Sequence, residues 1–318
     1  MSRYRAAVLV FLPVLLLAGK GAATAPPQRL ADGFEAAGFS EAGGLYYKQN
    51  KEQNAGTVEF QSAVTHSGKG ALKLTVKPLC SASDENCSER AEVWERPERW
   101  VGYDQGVWYG FAVKFERPIP QDNHRYVIAQ WKREISGTPG DFSPFLAIRL
   151  NRGKLFATVE TNLVSTSNVG PKGKVAHCPA GETPVWLRPE TNQTRALVAI
   201  SSGWNDEIGA RFNACTDEIR VVNRGNDLPA PESGWIDFAV YSKPGPDGTG
   251  HIEIFANANW IATIKGRIGH AEKGLGKYQY FKFGPYRAAN TDIWTLYYDD
   301  FRRSSDCKDV LVETSCPF

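Results

Sequence analysis

Residues 280–287, Tyr-Phe-Lys-Phe-Gly-Pro-Tyr-Arg, carry side chains suited to proton transfer at the spacing of a β-strand. A two-residue period turns Phe281 and Phe283 to one face and Tyr280, Lys282 and Tyr286 to the other. A lysine between two tyrosines on one surface suits a site that holds a carboxylate and moves a proton; a strand that only packs has no use for it. A free phenol titrates at about 10, so a tyrosine that takes a proton near neutrality needs positive charge beside it. Lys282, four residues before Tyr286 on the same face, is placed to supply it. The plainer alternative is that these side chains solvate an exposed sheet face.

Two further segments put polar chemistry on one face. In residues 126–132, alternation sets Val127, Ala129 and Trp131 against Ile128, Gln130 and Lys132, so that Gln130 and Lys132 stand side by side. In residues 88–93, Arg90 and Glu92 share a face opposite Glu89, Ala91 and Val93, and the glutamate braces the arginine. Trp94 and Trp100 come next in the chain, either packing the sheet or stacking on a sugar ring.

The elements that must position these residues are strands. Leu72, Leu74 and Val76 alternate with Lys73, Thr75 and Lys77, and Val107, Tyr109, Phe111, Val113 and Phe115 repeat the pattern. Further strands are predicted at 145–150, 154–160, 235–242, 251–255, 260–265 and 293–301, with Asn257-Ala258-Asn259 as a hairpin turn and 244–248 as a loop. No segment sustains helical apolar spacing, and Gly and Pro punctuate the chain at short intervals, which predicts an all-β antiparallel sandwich or jelly roll. Residues 162–232 break the rhythm and read as a long loop insertion pinned by Cys178 and Cys215.

Arg3 and Arg5, an apolar run over 6–18 and Ala23-Thr24-Ala25 read as a secretory signal over 1–25, with 26–318 as one domain; an uncleaved anchor is the rival. No later stretch is long enough to cross a bilayer. Of 37 basic and 35 acidic side chains, Arg3, Arg5 and Lys20 fall in the leader, so the remainder is close to neutral and lacks the basic excess of a nucleic-acid binder. Six cysteines in an exported chain predict disulfides. Loop closure favours the local pairs Cys80 with Cys87, Cys178 with Cys215 and Cys307 with Cys316, although six cysteines permit about 15 pairings. Metal binding by these cysteines is the rival, and no Cys-x-x-Cys supports it.

The three polar segments, taken in chain order, resemble motifs of the jelly-roll polysaccharide lyases: the heparin lyase I-like and glucuronan lyases and, more distantly, the alginate lyases. Residues 88–93 look like their Arg-x-Glu strand, Gln130-Trp131-Lys132 like their Gln-x-His strand, and residues 280–286 like their Tyr-x-Lys-x-Gly-x-Tyr strand. The resemblance implies a concanavalin-like β-jelly roll that cleaves a uronic-acid polysaccharide by β-elimination. Arg90, Gln130, Lys132 and Lys282 would neutralise the uronate carboxylate, and Tyr286 would act as base, acid or both. Tyr280, Glu92, Trp94, Arg287 and His66 are expected to contact substrate. Lys132 departs from the family's histidine, so either Tyr286 serves both steps, or His66, His124 or His270 enters, or binding alone remains.

No cofactor is required for such chemistry. Asp32 and Glu35 near the start and Asp299 and Asp300 near the end resemble the termini of jelly rolls clipped by structural calcium, with Glu35 and Asp300 as ligands. The expected partner is an anionic polysaccharide (glucuronan, alginate or a heparin-like glycan), with no nucleic acid and no membrane, for a monomer that is secreted or periplasmic. A non-catalytic carbohydrate-binding jelly roll is the competing reading. Signatures of serine hydrolases, zinc proteases, phosphate loops and paired-carboxylate glycosidases are missing from the sequence.

Overall fold

The computed structural model describes residues 27–81, 87–137, 142–167, 171 and 173–318; the expected signal at 1–25 lies outside the described residues. Among the described residues the strands form two antiparallel sheets, one of nine strands and one of eleven. Their inner faces supply one apolar core: the Phe111 ring from one sheet lies 5.4 Å from Phe281 of the other, and Tyr298 lies 4.8 Å from Phe283. Burying apolar rings from both sheets is what holds such a sandwich together. The jelly-roll expectation is met.

The eleven-stranded sheet runs in the order Ala214–Thr216, Thr183–Arg188, Gln193–Ile200, Lys154–Asn162, Leu146–Asn151, Tyr126–Ile135, Leu275–Ala288, Val93–Glu95, Leu45–Tyr47, with Ser88–Arg90 and Val101–Gly102 also paired to Leu275–Ala288. The alternation predicted for residues 280–283 holds, since Phe281 and Phe283 are in the core. The hairpin turn also holds: Asn257 and Ala258 take φ of 49° and 62°, and join Gly245–Ala256 to Asn259–Ile268. The three disulfides pair Cys80–Cys87, Cys178–Cys215 and Cys307–Cys316.

Three local expectations fail. Residues 162–232 are not a loop excursion, because Thr183–Arg188, Gln193–Ile200 and Ala214–Thr216 extend the eleven-stranded sheet and Ile219–Asn223 edges the other. Residues 245–248, expected as loop, belong to Gly245–Ala256, where the register shifts between Gly245 and Gly250. In Tyr126–Ile135, Ile128 enters the core and Val127 faces outward beside Gln130, the reverse of a simple alternation. The register with Leu146–Asn151 slips at that point, and an extra residue in one strand reverses the facing of the residues beyond it.

Candidate active site

Leu275–Ala288 is the element that brings the three motifs together, because it pairs with all of them. Tyr280 lies opposite Lys132, Lys282 opposite Gln130 on one side and Trp94 on the other, and Tyr286 opposite Val127 and Arg90. Between Phe283 and Tyr286 the strand bulges. Gly284 sits there at φ 127°, and a Cβ on it would fall 2.1 Å from the Ala91 carbonyl oxygen, so only glycine lets the chain at Ala91 cross so close. The Ala91 amide donates to the Pro285 carbonyl at 2.9 Å and fixes that crossing. The glycine of the motif thus sets Arg90 against Tyr286.

Glu92 is the centre of the constellation. Its buried carboxylate accepts from Lys282 Nζ at 2.9 Å, from Arg90 Nη1 at 3.3 Å and from the Gln130 amide. Arg90 also donates to Glu52 at 2.9 Å, and its guanidinium lies 4.1 Å from the Tyr286 ring centroid, with Arg125 at 4.8 Å from the same ring. Burial, with the Arg90 and Lys132 charges, brings the Lys282 ammonium down to about 7 against the opposing pull of Glu92. Burial alone would raise Glu92, but the charges of Lys282 and Arg90 outweigh it and hold the carboxyl below its ordinary value. Trp94 adds a π face, 4.2 Å from Lys282 Nζ.

Above this network opens a cleft of about 320 Å³ whose lining includes Tyr286, Arg90, Gln130, Lys132, Lys282 and Trp94. Sequence reasoning missed its other cations, Arg125, Arg149, Arg188 and Arg195; Glu52 is the single acid among the lining residues. Three of these arginines share one buried acid: Glu160 accepts from Arg195 at 2.7 Å, Arg149 at 3.1 Å and Arg188 at 3.3 Å. Glu160, too, is held below its ordinary value, the charges of Arg195 and Arg149 overcoming burial, which raises it. The signal was present: in Leu146–Asn151 and Gln193–Ile200, Arg149 and Arg195 are the charges on faces opposite core residues such as Ile148 and Ala196.

Other expected site residues lie elsewhere. Arg287 is buried and paired with Glu89 at 2.6 Å, and it does not line the cleft, because its position in the alternation turns it inward. Tyr280 stacks between Trp94 and Trp100 with centroids 5.4 and 4.7 Å away, and props Trp94 instead of lining the cleft. Glu92 acts from beneath the cleft lining. His66 lies in the loop between Gly56–Gln61 and Ala71–Val76 of the other sheet, where it meets Asp300 at 2.7 Å and Asp237 at 3.1 Å beside a separate cavity of about 150 Å³. Burial lowers its pKa, yet the bond to Asp300 and the charge of Asp237 leave it raised overall. His270 is buried behind the cleft wall, near Ser143, with burial lowering its pKa, and His124 lines an adjoining cleft.

Among the described residues no group of three or more His, Cys, Asp or Glu side chains could hold a metal ion. Glu35 accepts from the Lys69 amide, and Asp300 accepts from Ser67 and meets His66. No helix among the described residues is long and apolar enough to cross a membrane.

A family profile described as polysaccharide lyase matches residues 40–302. Comparison with curated proteins gives no match. Among solved structures, the endo-β-1,4-glucuronan lyase of the fungus Trichoderma reesei is similar with a TM-score of 0.55 at 17% identity, over 85% of this chain and 94% of that one. The cellulose-induced protein Cip1 aligns with a TM-score of 0.45 at 16% identity, covering 87% and 97% of the two chains. The alginate lyase Aly36B aligns with a TM-score of 0.41 at 11% identity, covering 88% and 98%.

Proposed function

The chain belongs to the polysaccharide lyase family, and from that premise we propose that it cleaves a uronate-containing polysaccharide by β-elimination in the basic cleft, with Tyr286 moving the protons. The observation that carries this reading is the convergence of Tyr286, Arg90, Gln130, Lys132 and Lys282 on one cleft. In the reaction, a base removes the C5 proton of the uronate, the electron pair forms the C4–C5 double bond, and the bond from C4 to the glycosidic oxygen breaks as that oxygen takes up a proton. Negative charge grows on the uronate carboxylate as C5 loses its proton, so fixed cations and amide donors beside it lower the barrier. Arg90, Lys132 and Lys282 supply the cations and Gln130 the amide, while Glu92 fixes the geometry of three of them.

Tyr286 is the proton carrier on this reading. It lines the cleft, with the guanidinium groups of Arg90 and Arg125 against its ring. Of the candidate histidines, His66 borders the cavity at the other sheet, and neither His124 nor His270 is among this cleft's lining residues, which supports Tyr286 in both the base and the acid step. The three disulfides support an oxidising, exported setting.

The test is direct. Incubation with glucuronan, alginate and heparin should release ultraviolet-absorbing unsaturated ends from at least one, and Tyr286→Phe should abolish them while the polymer still binds. Binding to all three without such ends would favour a carbohydrate-binding protein.

A further inference from the structure

Beyond the reacting centre, the basic cleft continues into a second of about 380 Å³, which shares Arg125, Arg149, Arg188 and Arg195 with it and adds Trp186 and Arg211. Guanidinium groups of Arg188, Arg195 and Arg211 lie 5.4, 5.1 and 5.0 Å from the Trp186 ring centroid. Register explains the grouping. Trp186 pairs with Arg195 across neighbouring strands, and Arg195 pairs in turn with Glu160.

The charge is unbalanced. Glu160, wholly buried, faces three arginines and can neutralise one charge. It binds Arg195 through Nε and Arg149 through Nη2. Arg211 makes no hydrogen bond or ion pair to a described residue, and the arginine donors left over open to the cleft. Crowding of this kind bears on Arg149, whose guanidinium is pressed below its ordinary pKa by burial and by the neighbouring Arg195. An anion arriving in this cleft would relieve the repulsion, and planar guanidinium groups match carboxylate and sulfate oxygens in pairs.

We infer that the Trp186 cleft is a second anion-recognition subsite, which binds an acidic group on a sugar away from the cleavage point and so restricts the enzyme to glycans carrying acid groups on nearby residues. The inference rests on the proposed lyase reading and names the substrate class that reading leaves open. The acidic group is a uronate carboxylate or a sulfate ester. Trp186 holds the arginine side chains apart and in place, and Glu160 anchors two of them from below, so the subsite is built into the sheet.

The experiment uses the full chain with Tyr286→Phe, which on the proposed reading binds polymer without cutting it, and measures affinity calorimetrically for polyglucuronate, dextran sulfate and neutral dextran. Arg211→Ala and Trp186→Ala should each weaken polyglucuronate binding about tenfold, since a charge-assisted pair is worth on the order of 1.5 kcal/mol. Arg211→Lys should restore part of the loss. Loss for polyglucuronate alone identifies a carboxylate subsite, and loss for dextran sulfate identifies a sulfate subsite. Unchanged affinity for both polyanions, with melting temperatures also unchanged, overturns the inference. In the cutting-competent chain the same substitutions should raise KM more than they lower kcat, and the difference should shrink on oligosaccharides too short to span both clefts. A native chain that binds polyglucuronate through Arg211 but yields no unsaturated ends would keep the subsite and sink the chemistry.

Discussion

Glu92, in the link between Ser88–Arg90 and Val93–Glu95, and Glu160, within Lys154–Asn162 of the same eleven-stranded sheet, are both fully buried acids that gather cations lining the same cleft, yet they gather different ones. Glu92 holds a lysine, an arginine and an amide next to a phenol. Glu160 holds three arginines with no phenol or lysine among its hydrogen-bond partners. Arginine stays charged at any ordinary pH, whereas a buried lysine can be tuned across neutrality. The first cluster therefore combines fixed charge with groups that exchange protons, and the second offers fixed charge alone. On the proposed reading, chemistry belongs to the first and grip to the second.

The sharpest way to break this division is to remove the phenolic oxygen. Tyr286→Phe keeps the ring against Arg90 and Arg125 but leaves nothing to carry a proton, and general acid–base groups contribute roughly 10²- to 10⁴-fold. We expect kcat to fall about a thousandfold or more, with polymer affinity within about twofold of native, read by the rise of unsaturated ends and by calorimetry. Residual kcat above a tenth of native would remove Tyr286 from the chemistry.

Next in size come the glutamates. Removing one partner of a buried ion pair strands the other charge and costs about 3–5 kcal/mol, so Glu92→Gln and Glu160→Gln should both lower the melting temperature. Their effects on turnover should separate: Glu92→Gln lowers kcat by releasing Lys282 and Arg90, and Glu160→Gln raises KM by loosening Arg149, Arg188 and Arg195. The pH dependence has a definite sign. Both carboxyls are held below their ordinary value in the folded chain, so the stability they confer is complete above the unfolded value of about 4.3 and is lost as pH falls through the folded value. Acid unfolding of Glu160→Gln should accordingly be less steep than that of the native chain. Equal kcat losses in the two variants would erase the distinction between the clusters.

Much of the first cluster was legible in sequence and little of the second, for a physical reason. Residues 280–286, 88–93 and 130–132 each concentrate several polar side chains at period two, and such concentration stands out without knowledge of which strands pair. Arg149 and Arg195 each sit as the one charged residue of a mostly apolar strand, Glu160 shares its strand with Lys154, and the three become a site only once Leu146–Asn151, Lys154–Asn162 and Gln193–Ile200 are laid side by side. The strands of residues 183–200 were hidden because Pro184, Pro189 and two cysteines of the region suggested a loop. Arg287 was misjudged through its charge: the period places it inward, where Glu89 lies across the pair. No count of alternation could foresee the slip near Val127, since a bulge depends on the partner strand as well.

The finest division lies within the first cluster, between Lys282 and the arginines around it, and it predicts a small effect at neutrality that grows with pH. Burial brings Lys282 to about 7, and the proposed chemistry needs its ammonium form to meet the uronate carboxylate. At pH 7 about half the free enzyme would then be competent, a twofold loss, and kcat/KM would fall about tenfold per unit above that through this group. Lys282→Arg keeps the charge at all these values, so that limb should vanish even if the altered geometry lowers the plateau. Stability moves the other way. The unfolded lysine still binds its proton between about 7 and its ordinary 10.4 while the folded one has lost it, so Lys282 makes the native chain more stable as pH rises through that window, and Lys282→Arg should lose this increment. A pH profile of kcat/KM identical in the native chain and Lys282→Arg would show that the lysine is held charged throughout by Glu92. In that case both clusters would carry fixed charge alone, and Tyr286 would be the only group separating them.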